Sequence, residues 1–358
     1  MKKGKSGHNS DIRFKIVFII CWKHQYEAIF NALSSHFPVE RVVLPHTWQG
    51  RTKFGKICET IANNLQHTPS LLRLFLARGT PIVCICGEHY YAALLAAKLV
   101  SLIGRDVRTY LFRFYLHELG AYEIVKVIMR WLLSTKVALF VQSPDEVDYY
   151  HSINKNAVVA CSPFIPSETD DDAIPSLTEK DIRLGDYIFC GGRSNRDYDV
   201  VLRAAKALPH LSFILACGRS NRISESIPGN VRLVKDIDPL SFYSLLAKSR
   251  LVIVSLKNNI GSSGQLVVQA AMRYGKMVFY SNNPCLSQYL IDDRTGIAFQ
   301  PGNHLDLQDK IEKYYNNIQK LVSMGSAAKK DIWTRFSAKQ FQEKLTSHIL
   351  SWLSSQSC

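Results

Sequence analysis

Short runs rich in β-branched and apolar residues alternate along this chain with longer stretches whose apolar residues recur at helical spacing. That alternation is the strongest constraint on the fold, because strands separated by helices pair in parallel and are covered by helices on both faces. In the first half the strand runs are Phe14–Ile20, Arg41–Leu44, Ile82–Cys86, Arg108–Arg113, Val137–Val141 and Ala157–Ala160. Helical patterns lie between them at Gln25–Ser35, Phe54–Leu65, Tyr90–Ile103, Ala121–Leu133 and Asp145–Tyr150. A second series has strands Tyr187–Cys190, Ser212–Ala216, Val231–Val234, Leu251–Val254 and Met277–Tyr280. Its helices are Asp199–Ala207, Pro239–Lys248, Gln265–Tyr274 and Leu305–Met324, and Ala338–Leu353 is a last helical pattern. The expected fold is α/β, with two Rossmann-like domains facing across a cleft.

The rhythm breaks at Ser162–Gly185, which holds Pro163, Pro166, Pro175 and the acidic cluster Asp170–Asp172. This reads as an interdomain linker, and the Asp run as a solvated part of it rather than a metal site. The division that follows is a basic tail at 1–11, an N-terminal domain at 12–161 and the linker at 162–185. A C-terminal domain spans 186–336, and a helix within 337–358 crosses back to the N-terminal domain.

Composition narrows the function classes. With 47% hydrophobic and 21% charged residues, the 358-residue chain is a packed globular protein rather than a disordered one. The net charge is +14 and leans to one side: residues 1–160 hold 20 Lys and Arg against 11 Asp and Glu, the rest 24 against 19. An acidic partner is expected, either nucleotide phosphates or an anionic membrane surface, while nucleic acid has no motif beyond charge. Among nine cysteines there is no CxxC pair, so no zinc site is expected, and buried free thiols fit a reducing cytosol. The apolar stretch Phe14–Trp22 is interrupted by Lys15 and is too short to span a bilayer, which needs about 18 residues or more. It also lacks a signal-peptide cleavage pattern, so the chain reads as cytoplasmic and, at most, peripheral at the inner face of the membrane. Basic and apolar residues interleave in Lys53–Arg78 and Lys126–Lys136. Those apolar faces are expected to pack into the core, with a bilayer surface as the alternative.

Two segments of the second half carry chemistry. Gly191-Gly192-Arg193-Ser194-Asn195-Arg196 follows an apolar strand and precedes a helix. Glycine lets backbone approach a ligand closely, the helix offers a positive N-terminus, and Arg193 and Arg196 suit phosphate oxygens. The loop Ser255–Gly264, which includes Lys257, Ser262 and Ser263, leads into a helix opened by Gln265. A small, hydroxyl-rich loop feeding a helix start is a phosphate cradle in chemical terms, though Ser263 also reads as a helix cap. In the first half, Phe114-Tyr115-Leu116-His117-Glu118 and Gly87-Glu88-His89 each follow a strand, where ligands of doubly wound sheets gather. Ser143 and Glu146 read as a helix capping box, and Asp238 as an N-cap before Pro239. No glycine occurs in Cys21–Ala28, so the GxGxxG of a dehydrogenase is missing after the first strand.

Ser263-Gly264-Gln265, then Ala271-Met272, Gly275-Lys276 and apolar Met277–Phe279 resemble the donor-site signature of retaining GT-B glycosyltransferases, especially family four (group 1). Tyr289-Leu290-Ile291 and Thr295–Asn303 resemble the stretch that follows, a turn and short hairpin. Gly192-Arg193 with Arg196 is similar to the family's element that holds the donor diphosphate. The resemblance covers roughly Tyr187–Phe336. It implies a hexosyltransferase-like enzyme moving a sugar from a nucleotide-sugar donor to a glycan or lipid-linked acceptor, in cell-surface polysaccharide or glycolipid synthesis, with no metal or other cofactor. It further implies donor contacts from Gly192, Arg193, Arg196, Lys257, Ser262, Ser263, Gly264 and Gln265 and a sugar contact from His117. Beside it Glu118 reads as a catalytic carboxylate that accepts a proton or orients the acceptor, and Glu88 and His89, at their strand end, as acceptor-side residues. One departure stands out. The positions matching the family's two glutamates fall at Gly261 or Ser262 and at Gln269 or Ala270, and none of these is acidic. That departure leaves two other readings open, a catalytically silent sugar-nucleotide-binding subunit and a nucleotide-sugar epimerase on the same fold.

Overall fold

The computed structural model describes residues 15–20, 27–44, 53–77, 81–86, 90–112, 123–133, 136–163, 174–178, 180, 182–219, 221–257 and 261–355. They form two compact units, one drawn from 15–141, 150–160 and 342–355, the other from 142–149 and 161–341.

The elements of the first series are β1 (Lys15–Ile20), α1 (Glu27–Ser34), β2 (Val39–Val43), α2 (Lys53–Ala77), β3 (Ile82–Cys86), α3 (Tyr90–Ser101), β4 (Val107–Phe112), α4 (Glu123–Leu132), β5 (Val137–Val141), α5 (Pro144–Ile153) and β6 (Val158–Cys161). The sheet order is β2-β1-β3-β4-β5-β6. The pairs β1–β2, β1–β3, β3–β4 and β4–β5 are parallel. β3 and β5 are buried at every position, as parallel strands covered on both faces must be. Glu88 and His89 after β3, and His117 and Glu118 after β4, lie outside the described residues.

Two elements depart from expectation. α2 continues well past Leu65, through Pro69 to Ala77. Proline removes one intrahelical donor, but Leu71 and Phe75 are buried, and that packing carries the helix past the breaker. α4 buries Met129 and Leu132 yet leaves Val127, Ile128 and Trp131 exposed, Trp131 by 46%. The apolar residues of α4 therefore do not all pack inward, because its apolar arc is wider than the surface it covers. Lys98 at the end of α3 lies 5.3 Å from the Trp131 ring.

The second series consists of β7 (Tyr187–Gly192), α6 (Tyr198–Ala207), β8 (Ser212–Cys217), β9 (Val231–Lys235), α7 (Pro239–Ala247), β10 (Leu251–Val254), α8 (Gln265–Arg273), β11 (Val278–Ser281), α9 (Pro284–Ser287), β12 (Ile297–Phe299), α10 (His304–Tyr315), α11 (Ile318–Arg335) and α12 (Ala338–Ser355). Beyond Phe341, α12 belongs to the first unit, where Trp352 packs edge-on against Tyr110 at 5.5 Å. The second sheet has the order β12-β11-β10-β7-β8-β9, with every pair parallel. Its core joins Ile188, Val201, Phe213, Leu251, Ile253 and Phe279. Each such buried side chain stabilises the unit by about 1.5–3 kcal/mol, which fixes the strand ends that carry the loops.

Asp238 caps α7 through the Ser241 N–H at 2.9 Å, as its place before Pro239 suggests. The expected helix Leu305–Met324 is instead two, because Asn317 caps a new start at the Lys320 N–H. The expected hairpin after Tyr289 is a crossover: β12 pairs in parallel with β11, Phe279 opposite Ile297. Within the described part of the linker, Pro175 and Arg183 accept hydrogen bonds from Tyr274 and Lys276, which ties it to the second unit.

Candidate functional site

In the second sheet the chain runs from β7 through β8 to β9 on one side and from β10 through β11 to β12 on the other. β7 and β10 are parallel neighbours, Leu251 opposite Ile188 and Ile253 opposite Cys190. The crevice beyond their carboxyl ends is the switch point of the sheet, where doubly wound folds bind ligands. Both sequence-predicted donor segments leave the sheet there: Arg193–Asp197 directly after β7, and the segment that starts at Ser255 after β10.

Backbone bonds join the two loops. The Lys257 N–H donates to Asn195 O at 3.1 Å, and the Asp197 N–H to Ser255 O at 3.1 Å. Arg196 and Leu256 form an antiparallel bridge between them. The Leu256 N–H in turn donates to Ser281 Oγ at 2.8 Å, which anchors the second loop to the end of β11. Arg193 and Lys257 are each exposed on these joined loops, Arg193 with its stem beside Gly218 at the end of β8.

Arg196 has a different place. It is only 5% exposed; its Nε donates to Gly191 O at 2.9 Å and its Nη1 to Ser194 O at 2.6 Å. Burial pulls its pKa below the ordinary arginine value. Much of its donor capacity therefore serves the glycine turn itself. Gly192 sits at φ +132° with the guanidinium where a Cβ would be, so both backbone and space require glycine. The buried Tyr198 hydroxyl lies 2.5 Å from Gly192 O, and Asn221 Nδ2 donates to Arg193 O at 2.8 Å. Neither Tyr198 nor Asn221 was expected here, since nothing local in the sequence marks a partner across the loop.

At the start of α8, Gly264 occupies the N-cap position with φ +82° and makes no side-chain cap. Ser263 is thus not the cap, and among the described residues no side chain is seen to cap the first turn, the condition for anion binding. Gln265 is 7% exposed, and its Nε2 has no hydrogen-bond partner among the described residues. The Ser262 hydroxyl is committed: it donates to Glu146 Oε2 at 2.9 Å. Burial pushes the Glu146 carboxyl up to about 7, against the lowering effect of that hydroxyl and of the Gln142 and Ser143 N–H groups. The Glu146 bond to the Ser143 N–H at 2.9 Å is one half of the expected capping box, the Ser143 hydroxyl turning to Asp145 instead, and the contact with Ser262 was not legible. Gln269 and Ala270, which match one of the family's glutamate positions, are both fully buried on α8.

No group of three or more His, Cys, Asp or Glu among the described residues is arranged to hold a metal ion. No helix among them is long and apolar enough to cross a membrane. Exposed Arg193 and Lys257, a helix start with no side-chain cap and the buried Gln265 amide, among the described residues, are the groups that suit a phosphate-bearing ligand.

The architecture is that of the GT-B glycosyltransferases, two parallel six-stranded sheets with flanking helices. Residues 192–331, under half of the chain, match the family of glycosyl transferases group 1, and the chain resembles that group. Among solved structures it is similar to sucrose-phosphate synthase from Thermosynechococcus elongatus, at 13% identity over 96% of this chain and 100% of that one, with a TM-score of 0.66. It is similar to Anabaena HepE in complex with UDP and glucose, at 13% identity over 94% and 99%, with a TM-score of 0.64. A glycosyltransferase from Rickettsia africae shares 12% identity over 96% and 99%, with a TM-score of 0.63. No curated protein sequence matches.

Proposed function

We propose that this chain is a hexosyltransferase that takes a sugar from a nucleotide-sugar donor and passes it to a glycan or lipid-linked acceptor, in cell-surface polysaccharide or glycolipid synthesis. The observation that supports this reading is the backbone joining of the two loops at Asn195–Asp197 and Ser255–Lys257, at the ends of neighbouring strands, with Arg193 and Lys257 exposed on them. In the reaction the bond from the sugar to the diphosphate breaks, the acceptor oxygen bonds to the same carbon with retention, and the acceptor proton leaves to a base. The charge that grows on the departing diphosphate is met by Arg193, Lys257 and the N–H groups at the start of α8, so no metal is required. Arg196 acts from below by holding the turn.

His117 contacts the transferred sugar and Glu118 orients or deprotonates the acceptor hydroxyl, with Glu88 and His89 on the acceptor side. HepE is described with UDP and UDP-glucose, which makes UDP the first nucleotide to try. The enzyme works in the cytoplasm at the inner face of the membrane, with the exposed Val127, Ile128 and Trp131 of α4 supporting contact with lipid and the nearby Lys126 and Arg130 favouring anionic headgroups.

Incubation with labelled sugar nucleotides and a glycolipid extract, in the presence of a chelator, tests the reading. Transfer with release of nucleoside diphosphate is the expected result. Binding without turnover, an isomerised sugar, or activity restored only by a divalent cation would each replace a stated part of it.

A further inference from the structure

We propose that Glu146 is a positioning residue of the donor site, holding the Gly261–Gly264 turn in the form that presents the start of α8, with Asp145 clamping the same turn one residue earlier. This rests on the donor-site reading above. Glu146 is 3% exposed, and its Oε2 accepts three hydrogen bonds: from the Gln142 N–H at 3.0 Å, the Ser143 N–H at 2.9 Å and Ser262 Oγ at 2.9 Å. Asp145 Oδ2 accepts from the Gly261 N–H at 3.0 Å, while its Oδ1 is engaged by the Ser143 hydroxyl. Two adjacent carboxylates thus hold two adjacent residues of the turn.

The capping box of α5 accounts for only one of these bonds, the one to the Ser143 N–H. The bonds to Ser262 and Gly261 do nothing for that helix; they reach 116 residues along the chain to the loop after β10. A carboxylate this deeply buried is costly unless its oxygens are matched by donors, and here two backbone donors fix its position before Ser262 reaches it. The turn needs such an anchor. It is built of Gly261, Ser262, Ser263 and Gly264, small residues that bring little packing of their own. Gly264 O is tied into α8 by the Val268 N–H at 3.0 Å, but the contact at Ser263 is weak, from Cys285 Sγ to its carbonyl at 3.7 Å. The consequence is that Glu146 acts on the diphosphate through Ser262 and the helix start rather than by touching it.

The test uses the full chain with UDP, GDP and ADP as probes. Amide hydrogen exchange is followed at 261–268 without nucleotide, and affinity is measured by calorimetry for wild type, Glu146→Ala, Glu146→Gln, Ser262→Ala and the double variant Glu146→Ala/Ser262→Ala. At about pH 8, where Glu146 is ionised, loss of one hydrogen bond to a charged group is expected to speed exchange in the turn and weaken nucleotide binding, each by about tenfold, in Glu146→Ala and in Ser262→Ala. The double variant should lose at most about twofold beyond Ser262→Ala, because both changes remove one contact. Glu146→Gln keeps an acceptor oxygen and should stay within about threefold of wild type, which separates positioning from proton transfer. Should Glu146→Ala not fold, Ser262→Ala and Glu146→Gln read the same contact while leaving the α5 cap an acceptor. Unchanged exchange in Ser262→Ala, multiplying losses in the double variant, or failure of Glu146→Gln to preserve affinity would each overturn the proposal. Wild type that binds none of the three nucleotides removes the donor reading and this proposal together, whereas tight binding by every variant removes this proposal alone.

Discussion

The guanidinium of Arg196 occupies the space that a side chain on Gly192 would need, with Nε bonded to the Gly191 carbonyl 2.9 Å away. The two residues are mutually dependent: the glycine admits the arginine, and the arginine closes the turn. Gly192→Ala should therefore cost at least ~2 kcal/mol, since φ +132° is essentially reserved for glycine. Urea unfolding reads the loss, and a variant as stable as wild type would mean that the turn does not need this packing.

The two arginines of this turn should separate in their effects. Arg193 is exposed, so Arg193→Ala should leave stability within about 0.5 kcal/mol while weakening nucleoside diphosphate binding about tenfold or more. Arg196→Ala should lower both, because it strands the Gly191 and Ser194 carbonyls at a cost of about 2–4 kcal/mol. Calorimetric titration beside thermal unfolding distinguishes them. Equal behaviour of the two variants would contradict the assignment.

These contrasts mark what was legible in the sequence. The alternation of strands and helices was, as was the position of the glycine-rich and serine-rich loops, because each follows an apolar strand and opens a helix. The buried role of Arg196 was not, since GGRSNR looks the same whether its second arginine faces solvent or its own carbonyls. The capping role of Glu146 was visible at a spacing of three residues, but its bond to Ser262 was not, because contacts across 116 residues leave no local pattern. The break between α10 and α11 was missed because the apolar spacing continues across it, and the Asn317 cap decides the matter.

The pH dependence of stability follows from Glu146. Burial raises its carboxyl from 4.5 to about 7, the neighbouring Asp145 adds to the rise, and the Ser262, Gln142 and Ser143 donors oppose it. The folded state thus holds a proton that the unfolded chain releases, and the contribution to stability falls as pH rises from about 4.5 to about 7. The full effect is about 3 kcal/mol. Glu146→Gln cannot titrate, so the stability of wild type relative to this variant should drop by roughly that amount between the two pH values. Parallel curves in urea would show that Glu146 does not carry the shift.

His117→Ala is expected to lower transfer by about a hundredfold while changing nucleotide affinity less than about threefold, the pattern of a group used in the transition state. Single-turnover kinetics beside calorimetry reads both. Wild-type turnover in the variant would take His117 out of the site.

The most direct measurement is amide hydrogen exchange of the whole chain with and without UDP, GDP or ADP. A diphosphate seated beyond β7 and β10 should slow exchange at 192–197 and 255–267, whichever base is preferred. Protection confined to other segments, with these two loops unchanged, would contradict the placement of the donor and the function built on it.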